Sequence, residues 1–305
     1  MASSAVLVEE GYQRLVKARH GYVLYNRNDI VIGRLIELYG EYFEGEVDAF
    51  RHFVRPGDLV VDAGANIGVH TLALARLVGP RGSVVAFEPQ RLVFQNLCAN
   101  VALNSLDHVQ CVNAAIGDRP GVLHLHDPDP RVENNFGGAE LAMLAGDARA
   151  ATVPQVVLDE FLGDRNPRLI KIDVEGMEAA VLRGARQVLA RATPVLYVEN
   201  DRIERSPALL LLLRELGYNA YWHLPAYVQT ANYFANEARP FPVAFIDRGG
   251  EHLEAIGFAV NLLCVHQSHG QGLRGLPEVT GPDEHPYRRD CAARLSNGAI
   301  PVLRG

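Results

Sequence analysis

Short apolar runs alternate along this chain with longer stretches whose apolar residues recur at helical spacing. Residues 59–61 form an apolar run that is too short for a helix, so they predict a buried strand. A helix is predicted next, because its apolar residues share one face: Val69, Leu72, Ala73 and Leu77. Gly79 and Pro80 end this helix, since proline cannot continue it.

A second strand is predicted at residues 84–87, and Glu88 follows it directly. A strand, a crossover helix and a strand of this length pack as a right-handed unit in a parallel sheet. The turn after the first strand and the acid after the second therefore face the same crevice. This arrangement predicts a pocket for a nucleotide-containing cofactor.

The same alternation continues along the chain and predicts one α/β domain over residues 58–267. Its further elements are a helix at 92–103 and strands at 109–113, 169–172 and 194–199. Residues 1–57 are expected to form a helical or mixed extension. A loop rich in Pro, Asn and Gly, residues 127–147, is expected near the pocket mouth. Residues 268–305 lack periodicity, which favours a loosely ordered tail.

The turn between the first strand and its helix runs from Asp62 to Gly68 and distinguishes between cofactors. A dinucleotide turn reads G-x-G-x-x-G, but Asn66 occupies the place of its second glycine. Asp62, just before Gly64, is unfavourable for an anionic pyrophosphate and suits a ligand with an amino group and a sulfonium. Glu88 can accept two hydrogen bonds from ribose hydroxyls. These residues could alternatively form only a tight turn and a solvated strand end.

At these positions the chain resembles the class I S-adenosylmethionine-dependent methyltransferases. Two longer segments, LIKIDVEGME at 169–178 and PVLYVEN at 194–200, are similar to the signature of the FkbM family of methyltransferases. Further segments that look like that family's pattern lie at 40–46, 135–138, 222–227 and 261–265. The resemblance covers about residues 39–266 and implies a Rossmann-like, mostly parallel, seven-stranded twisted sheet with helices on both faces.

The resemblance also implies the cofactor and its contacts. The cofactor would be S-adenosylmethionine, with S-adenosylhomocysteine as product, and a helix at 45–54 in the amino-terminal extension would cap its pocket. The implied cofactor contacts are Asp62, Gly64, Asn66, Gly68, His70, Thr71, Glu88, Pro89, Ala115 and Asp173. The family methylates hydroxyl oxygens of sugars or natural products, and some members methylate nitrogen.

Asp173 and Glu175 are the first candidates for catalysis, because they follow the strand at 169–172. A helix expected from about Gly176 would offer unpaired N–H groups that stabilise the carboxylates and lower their pKa values. Low pKa values would make both acids weak general bases. They would instead suit a role as fixed negative charges that orient the donor, the acceptor or a cation. Either residue could instead be a simple helix cap.

A second hypothesis is a metal site. Asp173, Glu199 and Asn200 close two neighbouring strands, in a layout that resembles the magnesium-dependent catechol O-methyltransferases. Their oxygen ligands suit Mg²⁺, which could bind an acceptor oxygen and lower its pKa. Glu199 stands where those enzymes have Asp, and its longer side chain changes the ligand position.

His223 is the third candidate, because imidazole titrates near neutrality and could accept a hydroxyl proton. A histidine beside Trp222 could equally be a packed part of the pocket wall. Four aromatic residues after the strand at 194–199 would form an apolar wall for a sugar ring or planar ligand: Trp222, Tyr227, Tyr233 and Phe234.

The composition of the chain limits the classes of molecule that it is expected to bind. The chain has 305 residues, of which 48% are hydrophobic, and a formal net charge of −7 without a basic stripe, which disfavours nucleic acid. The apolar run at 208–213 is far too short to span a bilayer, and no secretion signal is recognised, so the cytoplasm is expected. A small-molecule or saccharide acceptor is therefore favoured.

Four functions remain open from the sequence. O-methylation of a hydroxyl leads, and N-methylation of an amide or amine is the nearest alternative. An NAD-dependent oxidoreductase would require Asn66 to tolerate a pyrophosphate. A cofactor-binding protein without catalysis would keep Asp62, Gly64 and Glu88 but have no productive acceptor site.

Overall fold

A seven-stranded sheet lies at the centre of the protein. The computed structural model describes residues 6–126, 128–138, 150–238, 242–270 and 272–304. Across the sheet the strands are β12 (Tyr218–His223), β15 (Asn261–His266), β11 (Val195–Glu199), β10 (Leu169–Ile172), β4 (Leu59–Ala63), β5 (Ser83–Phe87) and β6 (Val109–Val112). All pairings are parallel except those of β15, which runs antiparallel to β11 and β12. The predicted α/β fold class and mostly parallel seven-stranded sheet are confirmed.

Helices cover both faces of this sheet, because neighbouring strand residues point to opposite sides. Val60 packs with Leu74 and Phe50, whereas Val61 packs with Val181 and other residues on the opposite face. The helices are α3 (Val69–Val78), α4 (Arg91–Leu103), α5 (Leu158–Leu162), α6 (Glu178–Arg183), α7 (Arg186–Ala192) and α8 (Ser206–Glu215). The strands and helices predicted between residues 59 and 199 agree with these bounds within about two residues.

The amino-terminal extension is an antiparallel sheet followed by two helices. Its elements are β1 (Val6–Glu10), β2 (Gln13–Ala18), β3 (Gly21–Asn26), α1 (Ile32–Tyr39) and α2 (Glu44–Phe53). Asn100 of α4 joins β3 to the main domain: its Oδ1 accepts from Leu24 N at 2.6 Å and its Nδ2 donates to Leu24 O at 3.0 Å. The extension is therefore mixed, with a helix at the predicted place.

Two small sheets flank the main one. One contains β7 (Ala115–Ile116), β9 (Ala150–Val156) and β8 (Gly121–His126), and the other contains β14 (Glu254–Ile256), β13 (Ala244–Asp247) and β16 (Val302–Arg304). The loop predicted at 127–147 falls between β8 and β9. Only its residues 128–138 are among those described, and 127 and 139–147 lie outside them.

The carboxyl-terminal segment differs from its prediction. The sequence predicts a loosely ordered tail at 268–305, but the described part of this segment contains most of a 3₁₀ helix at Gln267–His269, helix α9 (Ala292–Leu295) and β16. Backbone bonds join it to the domain, from Trp222 N to Pro277 O at 2.8 Å and from Val279 N to Ala220 O at 2.9 Å. Lack of periodicity does not exclude docking through backbone bonds and single buried side chains. Within the described ranges, no helix is long and apolar enough to cross a membrane.

Candidate active site

A cavity of about 540 Å³ opens at the carboxyl ends of β4, β5, β10 and β11. This is where open α/β sheets bind their ligands. Glu46 of α2 and the loop that contains Asn135 and Gly137 also line it, so the amino-terminal extension and the β8–β9 loop contribute walls. Its volume lies in the range of small-molecule sites.

The glycine turn forms one side of the cavity and is fixed by its backbone. Gly64 has a φ of +80°, and a Cβ placed there would lie 1.7 Å from the carbonyl oxygen of Asp173. The N–H groups of Gly64 and Ala65 donate to Phe87 O at 3.0 and 2.8 Å. Only glycine therefore lets β4, β5 and the end of β10 approach this closely.

Glu88 holds the turn from the neighbouring strand. Its Oε2 accepts from Asn66 N at 2.9 Å and its Oε1 accepts from Gln90 N at 2.8 Å. Burial raises the pKa of Glu88 to about 7, against the lowering effect of these two N–H groups. Each carboxylate oxygen keeps further acceptor capacity, so Glu88 can bind hydroxyl groups of a ligand in the cavity.

Asp62 lies behind the cavity wall. It is fully buried, its Oδ2 accepts from the Thr71 hydroxyl at 2.7 Å, and its Oδ1 lies 3.7 Å from Lys171 Nζ. Lys171 Nζ also donates to Asp173 Oδ2 at 3.0 Å. Burial alone would lower the pKa of Lys171, but the nearby carboxylates of Asp173, Asp62 and Glu46 outweigh it and raise that pKa.

The structure brings most of the predicted cofactor contacts to the cavity. Those that line it are Gly64, Asn66, His70, Glu88, Pro89, Ala115 and Asp173. Three predicted contacts do not belong to the described lining of the cavity: Asp62, Gly68 and Thr71. Asp62 and Thr71 are hydrogen-bonded to each other, and Gly68 is the residue before α3. Direct contact of these three residues with a cofactor stays a prediction.

An acidic rim, defined as Asp173, Glu175 and Glu199, stands at the end of β10 and β11. One carboxylate oxygen from each lies within 4.8 Å of the others. Arg202 Nη2 donates to Glu175 Oε2 at 2.6 Å, as Lys171 does to Asp173. Two cations therefore already neutralise part of this rim.

The expected lowering of the Glu175 pKa is wrong. Burial and the neighbouring Asp173 raise the pKa of Glu175 to about 7, although Arg202 opposes them. Helix α6 begins at Glu178 rather than near Gly176, and the Gly176 N–H is satisfied by Glu178 Oε1 at 2.8 Å. That N–H group is therefore not free to stabilise Glu175.

Asn200 does not join Asp173 and Glu199 in the cavity. Its Nδ2 donates to Ser206 Oγ at 2.9 Å and its backbone oxygen lies 2.9 Å from His285 Nε2. Glu175 instead completes the cluster of carboxylates. The predicted magnesium ligands Asp173, Glu199 and Asn200 are thus not brought together as one set.

His223 also lies away from the cavity. Its Nδ1 is 2.8 Å from Tyr197 Oη, and burial lowers its pKa to about 4. Among the described residues, the cavity lining does not include His223, Trp222, Tyr233 or Phe234. Trp222 is 1% exposed in the core and packs edge-on against His285.

The aromatic wall of the cavity therefore has a different composition from the predicted one. Only Tyr227 of the four predicted residues contributes to it. The other aromatic residues of the wall are Tyr42, Phe43, Phe87, Phe258 and Tyr287. Tyr42 and Phe43 come from the amino-terminal extension, and Phe258 and Tyr287 come from segments whose sequence carries no periodic signal.

Glu46 is the site residue that the sequence pattern missed. It lines the cavity, its Oε1 accepts from Asn261 Nδ2 at 2.9 Å, and burial raises its pKa to about 8 although Lys171 lowers it. Its sequence signals are its place in the segment 40–46, which looks like the family's pattern, and its position as an acid in the first turn of a helix, which is common without a functional role.

The sheet order, the glycine turn and the acid at the end of β5 define a Rossmann-like methyltransferase. The family model described as the methyltransferase FkbM domain matches residues 62–220, just over half of the chain. The chain therefore belongs to the FkbM methyltransferase family.

Two curated relatives, both named as methyltransferases, agree with this assignment. Methyltransferase 1 of Beauveria bassiana is 30% identical over an alignment of 143 positions that covers 41% of this chain and 57% of that protein, so the chain spans little more than half of it. The 31-O-demethyl-FK506 methyltransferase FkbM of Streptomyces tacrolimicus is 32% identical over an alignment of 196 positions that covers 52% of this chain and 74% of that protein. A solved FkbM methyltransferase from Methylobacillus flagellatus has 16% identity and a TM-score of 0.37, covering 72% of this chain and 50% of that one.

Proposed function

We propose that this protein transfers the methyl group of S-adenosylmethionine to a hydroxyl of a small-molecule or saccharide acceptor. The charge of the cavity carries the proposal. Among the described lining residues, six are acids, namely Glu46, Glu88, Asp173, Glu175, Glu199 and Asp201, and two are cationic, Lys171 and Arg202. Burial raises the pKa values of Glu46, Glu88 and Glu175, so these acids partly keep their protons until a cation enters the cavity. An excess of ionisable acids over cations therefore favours a ligand with a sulfonium and an ammonium and disfavours the pyrophosphate of NAD.

The residues present fit S-adenosylmethionine. Glu88 would accept hydrogen bonds from the ribose hydroxyls, and the backbone at Ala115 would flank the adenine. Asp173, held by Lys171, would face the positive part of the ligand. When bound, the cofactor supplies a methyl group on a cationic sulfur. The protein would position the acceptor oxygen near that group and exclude water from it.

The acceptor side of the cavity supports a small organic molecule. An aromatic wall that includes Tyr42, Tyr227 and Phe258 offers apolar surface for a ring, and the acidic rim offers acceptors for hydroxyl groups. The name of the Streptomyces relative describes methylation at an oxygen of a natural product, which supports oxygen as the target.

A nitrogen acceptor is the second candidate. The acidic rim would attract the ammonium form of an amine, but methyl transfer needs the unprotonated nitrogen. The mass and fragmentation of the methylated product distinguish an ether from an N-methyl group.

Calorimetry tests the cofactor assignment. Wild type should bind S-adenosylmethionine and S-adenosylhomocysteine, and Glu88→Ala should lose at least about tenfold in affinity for both, as expected for a lost charge-assisted hydrogen bond. Glu88→Gln keeps one acceptor oxygen and controls for collapse of the turn. Glu215→Ala removes an exposed acid from α8 and should bind normally. Preference of wild type for NAD would overturn the assignment.

A further inference from the structure

One buried carboxyl group of the cavity has been given no contact with the cofactor so far. Glu46 lies in the first turn of α2, is 4% exposed and lines the cavity together with Lys171 and Asp173. A buried acid is costly unless its environment stabilises it or it keeps its proton. The surroundings of Glu46 therefore indicate what it does.

A chain of hydrogen bonds fixes one oxygen of Glu46. Asn261 Nδ2 donates to Glu46 Oε1 at 2.9 Å and lies 3.1 Å from Tyr197 Oη. Tyr197 Oη lies 2.8 Å from His223 Nδ1. Since the Asn261 amide donates to Tyr197, the tyrosine hydroxyl is free to donate to His223. His223 thus stands at the far end of a network that positions Glu46.

The other oxygen of Glu46 faces a histidine nitrogen. Glu46 Oε2 lies 3.5 Å from His70 Nε2, which is buried and has no hydrogen-bond partner in the part of the chain that the structure describes. Burial, and then the positive charge of Lys171, hold the pKa of His70 well below its usual value, so this imidazole is neutral. A protonated Glu46 can therefore point its hydroxyl towards the lone pair of Nε2.

Charged and titratable groups reach Glu46 from every element packed around it. They are Tyr42 before α2, Asp62 of β4, His70 of α3, Lys171 and Asp173 at the end of β10, and Tyr197 of β11. Lys171 favours the carboxylate, whereas burial and the acids Asp173 and Asp62 favour the protonated form. With a pKa of about 8, the group is mostly protonated at neutral pH. A further cation in the cavity would shift this balance towards the carboxylate.

We propose that Glu46 is the general base that takes the proton from the acceptor hydroxyl, and that binding of the cationic methyl donor in the same cavity ionises it beforehand. This rests on the proposed function, because it requires a sulfonium ligand. Asn261, Tyr197 and His223 act as positioning residues.

The proton balance closes over one turnover. Glu46 releases its proton to solvent when the donor binds and then holds a carboxylate beside the acceptor. As the oxygen–carbon bond forms and the sulfur–methyl bond breaks, the sulfur keeps the electron pair and the hydroxyl proton moves to Glu46. The products are a neutral ether and a neutral thioether. Since the sulfonium charge is gone from the cavity, Glu46 keeps this proton and has returned to its resting form.

The test needs no acceptor, because it counts protons released on ligand binding. Calorimetry at pH 7 in phosphate and in Tris separates the heat of buffer protonation from that of binding. Wild type should release at least roughly 0.9 proton more with S-adenosylmethionine than with S-adenosylhomocysteine, whose sulfur is neutral. Glu46→Gln should lower this difference by roughly 0.9 proton, which leaves only the protons released by Glu88 and Glu175. The variant should bind S-adenosylhomocysteine within about threefold of wild type, since glutamine can still accept from Asn261.

Glu44→Gln is the matched control. Glu44 lies two residues earlier in α2, is 3% exposed, and contacts His20 and Arg51 rather than the cavity. This variant should release the same proton as wild type. Once an acceptor is known, Glu46→Gln should also lower kcat by about 10²–10⁴-fold.

The outcomes separate the two proposals. Equal proton release with both ligands in wild type, or an unchanged difference in Glu46→Gln, would overturn the role of Glu46. Failure of wild type to bind either ligand would instead overturn the proposed function. If Glu46→Gln does not fold, wild type and Glu44→Gln still test the proposal, because it requires more proton release with S-adenosylmethionine than with S-adenosylhomocysteine in both. Equal release with the two ligands in either protein would overturn the role of Glu46.

Discussion

Replacing Glu46 with glutamine should change how the stability of the protein depends on pH. The pKa of Glu46 rises from 4.5 to about 8 on folding, chiefly through burial. Between these two values the unfolded chain has lost the proton and the folded protein keeps it. The free energy of unfolding therefore falls as pH rises through this window, by about 1.4 kcal/mol per pH unit from this group alone.

The size of the effect makes it measurable. The raised pKa of Glu46 contributes its full pH-dependent share to the free energy of unfolding below about pH 4.5, and this contribution is lost as the pH rises to about 8. The total loss amounts to about 4–5 kcal/mol. Glutamine stays neutral at every pH and keeps the bond from Asn261. The free energy of unfolding of Glu46→Gln minus that of wild type should thus increase by about 3 kcal/mol when the pH is raised from about 5.5 to about 7.5.

Urea denaturation of both proteins at a series of pH values measures this difference. Other buried acids, such as Glu88, contribute to both proteins and cancel in the comparison. A difference that stays flat from about pH 5 to 8 would refute the reasoning, because Glu46 would then be ionised over that range in the folded protein as well.

Three further predictions concern other parts of the site. Gly64→Ala should lower the free energy of unfolding by about 2–4 kcal/mol, measured by urea denaturation, because the new Cβ meets Asp173 O at a positive φ; a loss below about 0.5 kcal/mol would contradict this. Asn261→Leu removes a donor that lowers the pKa of Glu46, so the carbon-13 titration midpoint of Glu46 should rise, and an unchanged midpoint would count against the network. Exhaustive EDTA treatment should leave methyl transfer intact, since two cations already pair with the acidic rim, whereas loss of activity that Mg²⁺ restores would show a metal there.

The sequence predicted the scaffold because its signals are local. Apolar periodicity and the glycine turn place Glu88 and Asp173 at strand ends, and a parallel sheet brings strand ends to one edge. Strand alternation also explains why Asn200 was misplaced. Glu199 ends β11 with its side chain at the cavity, so the next residue points the other way, towards Ser206.

The acceptor side could not be predicted in the same way. Glu46 and Asn261 lie in the segments 40–46 and 261–265, which look like the family's pattern, but they are 215 residues apart and no periodic pattern shows that they meet. His223 ends β12 beside Asn261, but its ring turns to Tyr197 rather than to the cavity. Such contacts depend on tertiary packing and side-chain rotation, which a pattern of apolar positions does not specify.

A crystal structure of the protein with S-adenosylhomocysteine tests the central claim most directly. The account predicts the ligand in the cavity at the ends of β4, β5 and β10, with the ribose hydroxyls on the Glu88 carboxylate. At saturating ligand, a cavity without the ligand or a ribose bound away from Glu88 would contradict the assignment of this cavity to the methyl donor.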